Sequence, residues 1–548
     1  MKFIEKKANN IILCAGPINY LDLPVTTNLS MAMIPVNGKP VIGWILDDLL
    51  TKQLQTATVV LRADDKGLIR FLNSAYADRL QLKLQCLESS DSINTSLKAG
   101  LDAVPDASLV RIILGDTLIK DTFESDKSFA YTSMVESSSR WCVIRTDSSQ
   151  DIVEYIDKQD VEIESPLVLT GYYHLTDAEW LSQCVNAALQ AKERELSRVL
   201  IRYAARRPLK AVTVQQWFDF GHIDTLVDSR NRLLHARYFN SLKVDPLYHT
   251  VTKLSQDNGK LEDELNWYLS LPEELRVLCP RIVRSFHADE GKISITQEHY
   301  GYPTLAELYV YSDLRKETWT SILKILFRLH NEFRKYPGNL EKQHVFDMYA
   351  TKTAQRLNML VAEGPFWQEL MDHPTIQVNG KELRNLPELR EFIHLKSKEI
   401  VENSTITIIH GDYCFSNILF DINSQIMRLI DPRGSFGKKG IYGDPRYDIA
   451  KLRHSISELY DFVVADMFRI VASADHRTFD VNLYSTEVTK RASESFDQLL
   501  EQNGYVLEEI KFIEALLFLS MIPLHKDKPL RQQLMYCIGI TLLNDIAP

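Results

Sequence analysis

The stretch "HGDYCFSN" places a carboxylate, Asp412, five residues before an amide, Asn417, and apolar runs flank it on both sides. Such flanks predict short buried strands joined by a polar loop. A second carboxylate, Asp431, follows the next apolar run in "MRLIDPRGSFG". Three polar groups on adjacent loops suit phosphoryl transfer. One carboxylate accepts or orients the proton of an attacking hydroxyl. An amide oxygen and a second carboxylate hold Mg²⁺ against nucleotide phosphates, because that ion takes few hard oxygen ligands from protein and the rest from phosphate and water. Taken alone, the same segment also reads as a polar turn between strands.

Those groups need a nucleotide lobe upstream. "YHTVTKLS" alternates and is β-branched, which predicts a strand, and "KLEDELNWYLSL" has helical spacing with Leu261, Leu265 and Tyr268 on one face. Lys253 falls on the strand and Glu264 on the helix. Their pairing would aim the ammonium at the α- and β-phosphates; a surface Lys and a solvated Glu are the plain alternative. The strand ending at Glu298 and Tyr300 is placed as a hinge whose backbone meets adenine. "RYFNSLKVDPLYH" has no glycine, so the phosphates would rest on a hairpin around Asn240 and Ser241. Long helical patterns follow, "ETWTSILKILFRLHNEFRKY" and "VFDMYATKTAQRLNMLVAE". On the second, Lys352 and Arg356 share a face, open to an anionic acceptor or simply to solvent.

The spacing Asp412-x-x-x-x-Asn417 matches the protein-kinase catalytic loop with Gly411 in place of Arg. Together, "HGDYCFSN", "IDPRG" and "GDPRYDIAKL" resemble the aminoglycoside phosphotransferase and choline kinase family over residues 236–548. The resemblance implies a protein-kinase-like α+β fold that uses ATP. It makes Asp412 the catalytic base and Asn417 and Asp431 the Mg²⁺ ligands. Asp448 would brace the catalytic loop or cap its own helix. Lys253, Ser255, Glu264, Trp267, Tyr268, Leu271 and Pro272 also resemble a lobe of capsule-biosynthesis proteins. No A-P-E segment is present, which disfavours a protein substrate.

The first part of the chain alternates strand-like and helix-like segments: "NNIILCAG", "IPVNGKPVIGWILDDLLTKQL", "TATVVLRAD", "LQLKLQCLE" and "LVRIILGDTLI". That order predicts an α/β layered, Rossmann-like domain with a mostly parallel sheet and a ligand at the carboxyl ends of its strands. Asp116 lies at such an end, and Asp219 in "WFDFGHIDTL" is a second candidate. The layout resembles sugar-nucleotide nucleotidyltransferases over residues 9–230. By that resemblance Asp116 and Asp219 bind a metal, and Gly16 and the loop after it approach the phosphates; CTP and UTP are the nucleotides considered for this domain. The sequence departs from the family at two cations. "AGPINYLDLP" holds no Arg, and Met31 stands where a Lys is expected. Lys39 is the one nearby replacement, or else a surface lysine of a turn.

At 548 residues the chain exceeds one ordinary core. Two domains are expected, 1–235 and 236–548, the second with an N-lobe at 236–302 and a helical C-lobe at 303–548. A net charge of -10 without a long basic block argues against a nucleic-acid partner. Seven scattered cysteines without a CxxC pair suit a reducing cytoplasm, and no apolar run of about 18 residues predicts a membrane span. The expectation is an ATP- and Mg²⁺-dependent phosphotransferase acting on a hydroxyl of a sugar, polyol or amino alcohol. The capsule resemblance puts it in surface polysaccharide precursor synthesis. The alternatives are a bifunctional kinase and nucleotidyltransferase, or an N-terminal domain that only binds a ligand or scaffolds.

Overall fold

A computed structural model of the chain describes all residues except 1–7, 17–29, 124, 137, 160–164, 234–239, 256–257, 288–292 and 313. It divides into two compact units: Met1–Leu233 with Tyr311–Asp313, and the remainder.

The first unit is built on β1 (Ala8–Leu13), α1 (Val41–Thr51), β2 (Thr56–Arg62), α2 (Lys66–Ala75), β3 (Gln81–Leu87), α3 (Ile93–Asp102) and β4 (Leu109–Leu114). These strands lie in the order β3-β2-β1-β4, all parallel. Ile11, Ile12, Val59, Val60 and Ile112 are fully buried. A strand covered on both faces reads as a continuous apolar run, which is why these segments were legible. Helix starts are set locally: Asp65 Oδ1 accepts from Leu68 N at 3.1 Å and Ser92 Oγ from Thr95 N at 3.2 Å. The "PVNGKP" turn is a two-residue hairpin, with Asn37 and Gly38 both at positive φ and Val36 opposite Lys39. Because β1 has β2 on one side and β4 on the other, the direction of winding reverses there, and such a point opens a crevice at the carboxyl ends. Beyond β4 come β5 (Thr117–Ile119), β6 (Leu167–Leu175), which runs antiparallel to β4, and β7 (Trp217–Asp219), which pairs with β5.

The second unit opens with a four-stranded antiparallel sheet. Its members are β8 (Asn240–Asp245), β9 (Thr250–Ser255), β10 (Ile282–His287) and β11 (Ile293–Glu298), in the order β8-β9-β11-β10. Helix α4 (Asn258–Ser270) buries Leu261 and Leu265 against Ile293 and Ile295. A larger helical part follows, containing α5 (Lys316–Arg334), α6 (Lys352–Val361), α7 (Pro445–Ile456), α8 (Leu507–Met521) and α9 (Pro529–Ile546), with a hairpin of β12 (Ile418–Asp421) and β13 (Ile426–Leu429) between α6 and α7. The single helix expected across "VFDMYATKTAQRLNMLVAE" is interrupted: Asp347–Thr351 is π-helical. The wider turn carries two consecutive residues, Met348 and Tyr349, inward, and the Tyr349 ring packs against Phe436. Among the described residues no helix is long and apolar enough to cross a membrane.

Candidate active site

In the second unit the strand Lys and the helix Glu meet. Lys253 Nζ lies 2.6 Å from Glu264 Oε1 and also bonds Asp431 Oδ1. Burial works against the ammonium, but the Asp431 and Glu264 carboxylates outweigh it and raise its pKa, so Lys253 is charged. Lys253 is 8% exposed at its side chain whereas Asp431 is 40% exposed, so the acid faces outward and the cation sits behind it. Asp431 has φ +55°, a left-handed backbone that is uncommon outside glycine. Three residues on, a Cβ at Gly434 would lie 2.1 Å from Asp263 O, so this loop touches α4 directly beside Glu264.

The Asp412 loop is held from below. Asp448 Oδ2 and Oδ1 accept the N–H groups of His410 and Gly411 at 2.7 and 2.8 Å. The cap of α7 is Asp444, which accepts from Arg446 N, so Asp448 is the brace rather than the cap. A short 3₁₀ turn, Phe415–Asn417, then brings Asn417 back, and its Nδ2 donates to Asp412 Oδ2 at 2.9 Å. The same Nδ2 also donates to Asp412 O at 3.0 Å, so the Oδ1 of Asn417 is the amide atom that could hold a metal ion. Ile430 N donates to Asn417 O at 3.0 Å and Arg433 N to His410 O at 3.0 Å, which stitches the Asp431 loop to the Asp412 loop. Lys253, Glu264, Asp412, Asn417 and Asp431 thus come together on one set of contacts.

Lys451 was not foreseen. It lies on α7, three residues after Asp448, and its Nζ is 2.8 Å from Asp412 Oδ1. Burial would raise the pKa of Asp412, but this ammonium, with His410 and Arg433, holds it well below the usual carboxylate range. The sequence offered only the i,i+3 spacing of Asp448 and Lys451, without their partners; in the structure every residue of that helix is buried. Cys414 is buried, and burial pushes its thiol up, consistent with a small filler rather than a nucleophile. Trp267, Tyr413 and Phe415 are at most 1% exposed and form core.

Glu298 and Tyr300, expected at a hinge, stand at and just after the end of β11. The Glu298 and Tyr300 side chains bond each other, Tyr300 Oη to Glu298 Oε2 at 2.9 Å, and face a cavity of about 460 Å³ that Tyr268, Cys279 and Arg428 also line. Glu298 N donates to Arg281 O and His299 N to His249 O. Both amides are thus already paired within the unit. Asn240 opens β8 opposite Ser255, and the side chains of Asn240 and Ser241 lie outside the described residues.

In the first unit, Asp116 follows β4 and Asp219 ends β7. A Cβ at Gly221 would stand 3.0 Å from Asp116 Oδ2 and 3.5 Å from Asp219 Oδ1, so both carboxylates flank one point of backbone. Phe220 N donates to Asp116 O at 2.9 Å. Burial and then the charge of Asp219 push Asp116 up to about 6. His222 Nδ1 sits 3.4 Å from Asp219 Oδ2, and this carboxylate raises the imidazole pKa. Gly16 is exposed at the end of the β1 turn; the loop after it lies outside the described residues. Lys39, the nearby lysine, is ion-paired. Its Nζ is 2.5 Å from Asp47, which also binds Arg79. Among the described residues no three His, Cys, Asp or Glu side chains gather as a metal cage. Two hard oxygen ligands per site fit Mg²⁺, which keeps water and phosphate oxygens in its shell.

No protein-family profile matches the chain. Among curated proteins, the bifunctional protein GlmU of Methanocaldococcus jannaschii is 25% identical over 231 residues, 41% of this chain and 54% of that protein. The chain thus spans about half the length of the curated relative it matches. Among solved structures, a protein assigned as a glucose-1-phosphate thymidylyltransferase of Bacillus anthracis, in complex with a sucrose, is 18% identical, covering 42% of this chain and 97% of that one with a TM-score of 0.38. UDP-glucose pyrophosphorylase complexed with UDP-glucose is 16% identical over 41% of this chain and 98% of that one, with a TM-score of 0.36. The N-terminal part of the chain is thus similar in sequence to the bifunctional protein GlmU.

Proposed function

We propose that the second unit is an ATP- and Mg²⁺-dependent phosphotransferase that acts on a hydroxyl of a small molecule, fused to a nucleotidyltransferase-like unit. One observation carries this reading: Lys253 is clamped between Glu264 and Asp431, in the same fold unit as the Asp412–Asn417 pair. A buried ammonium aimed at an outward-facing acid suits nucleotide phosphates. Asn417 Oδ1 and the Asp431 carboxylate are the oxygens that would hold Mg²⁺, and the ion would supply charge neutralisation at the phosphates. Asp412, 38% exposed at its side chain, reaches the acceptor hydroxyl and takes its proton. Lys451 keeps that carboxylate ionised. Asp448 fixes the loop from behind. The sugar, polyol or amino alcohol classes, and a place in surface polysaccharide precursor synthesis, follow from the sequence resemblance.

The Asp116–Asp219 pair favours a second reading, in which the first unit joins the phosphorylated product to CTP or UTP. The missing Arg and Lys favour ligand binding there instead. The decisive experiment follows ADP formation from ATP with Mg²⁺ over a panel of acceptors, with pyrophosphate read in parallel when CTP or UTP is added. Acceptor-dependent ADP that is lost in Asp412→Asn supports the phosphotransferase. Normal ADP formation by that variant overturns it.

A further inference from the structure

Three basic side chains, Lys352, Arg356 and Arg433, stand around the Lys451–Asp412 pair, and among the described residues none has a carboxylate of its own. Helix α6 leaves the π-helical stretch Asp347–Thr351 with Lys352 and Arg356 one turn apart on one face. Interruptions of this type recur at functional sites because they re-aim the side chains that follow. Arg356 Nη1 donates to Ser520 O at 2.8 Å, and the sulfur of the next residue, Met521, lies 3.9 Å from Lys451 Nζ. Arg433 comes from the loop that carries Asp431. Its side chain packs over Gly411, where a Cβ would lie 2.8 Å from Arg433 Cβ, and its Nη1 donates to Tyr447 Oη at 3.0 Å. Tyr447 is one turn before Lys451 on α7.

Among the described residues, Lys352, Arg356 and Arg433 form no ion pair with any carboxylate. The hydrogen bond of Lys352 goes to the Met348 thioether at 3.7 Å. The charges acting on it are Arg433, Arg356 and Lys451, opposed by Asp412. Burial and these three cations push Lys352 down to about 6. Like charges held together and partly desolvated are unfavourable unless a ligand brings the missing negative charge. The aromatic side chains of the loop region, Trp267, Tyr413 and Phe415, are buried in the core and form no wall for a quaternary ammonium.

We propose that the acceptor is an anionic hydroxy compound, whose phosphate monoester or carboxylate group sits on Lys352, Arg356 and Arg433 while its hydroxyl meets Asp412. This rests on the phosphotransferase reading above. In the step, the acceptor oxygen bonds to the γ-phosphorus, the bond from that phosphorus to the β-phosphate oxygen breaks, the hydroxyl proton passes to Asp412, and ADP leaves. The anionic group is unchanged and serves as the handle.

The test is calorimetric titration of the full chain, saturated with Mg·ADP, by glycerol 3-phosphate, glycerate and glycerol. These probes share hydroxyls and differ in charge. Glycerol 3-phosphate or glycerate should bind where glycerol does not, and the better of the two identifies the group. Lys352→Met and Arg356→Met should each weaken that binding by about 10-fold or more with ADP affinity unchanged, and Arg356→Lys should recover part of it. Anion binding that neither substitution moves overturns the proposal. So does the absence of anion binding, or a loss of ADP affinity in its place. Asp412→Asn separates the two readings: it should end turnover yet keep or tighten anion binding, since an opposing charge is removed.

Discussion

Lys451 presents its ammonium 2.8 Å from Asp412 Oδ1, from a helix in which all twelve residues are buried. The pair fixes both the charge and the direction of the carboxylate proposed as base. Asp412→Asn should lower kcat by about 10²–10⁴ with the fold intact by circular dichroism. Lys451→Met should act differently. Asp412 is held low by that ammonium, so without it the carboxylate pKa rises and the acidic limb of the rate profile moves to higher pH. A pH–rate profile of acceptor phosphorylation checks this, and an unmoved limb refutes the role of Lys451.

Lys253 neutralises two acids at once. Lys253→Met leaves Glu264 and Asp431 facing each other and should destabilise the second unit by about 3 kcal/mol, with ATP affinity lost as well. Adding Glu264→Gln should return part of the stability and none of the ATP affinity. Denaturant midpoints and nucleotide titrations on the single and double variants read these two quantities separately.

The Asp116–Asp219 pair should give the first unit its own pH dependence. Asp116 sits near 6, so it is protonated below that value and its hold on a divalent cation weakens. Pyrophosphate release from CTP or UTP, with a phosphorylated co-substrate, should fall as pH drops through about 6. Asp116→Ala should abolish that release and leave acceptor phosphorylation untouched. Pyrophosphate release that persists in Asp116→Ala would exclude this carboxylate from the chemistry.

Lys352 makes a stability prediction whose sign is fixed. Its pKa is about 6 in the fold and about 10 in an unfolded chain, so the native state binds fewer protons between those values. Stability rises with pH across that window and falls as pH drops toward 6. Lys352→Met should therefore melt at a higher temperature than wild type near pH 6, with the gap closing toward pH 10. Melting curves across that range decide it; a gap that does not change with pH would mean that Lys352 keeps its proton in the fold as it does in the unfolded chain.

Local physics made much of this chain readable. Buried parallel strands announce themselves as apolar runs, so β1, β2 and β4 were placed from "NNIILCAG", "TATVVLRAD" and "LVRIILGD". The Asn37-Gly38 turn followed from backbone geometry alone, and the Lys253 strand and Glu264 helix followed from periodicity. Asp412, Asn417 and Asp431 were legible because five-residue spacing and short loops leave few ways to arrange them. What local pattern lacks is partners distant in the chain. Nothing in "RYDIAKL" says that Asp448 receives the amides of His410 and Gly411, or that Lys451 faces Asp412, because those contacts join residues nearly forty positions apart. The sequence presented Lys352 and Arg356 as a helix face, solvated or binding. The π-helical turn, Arg433 packed over Gly411 and the end of α8 set those cations around one carboxylate, and burial there gives their charge its meaning. The end of β11 shows the same division: the donation of the Glu298 amide to Arg281 O is a pairing that only the third dimension sets.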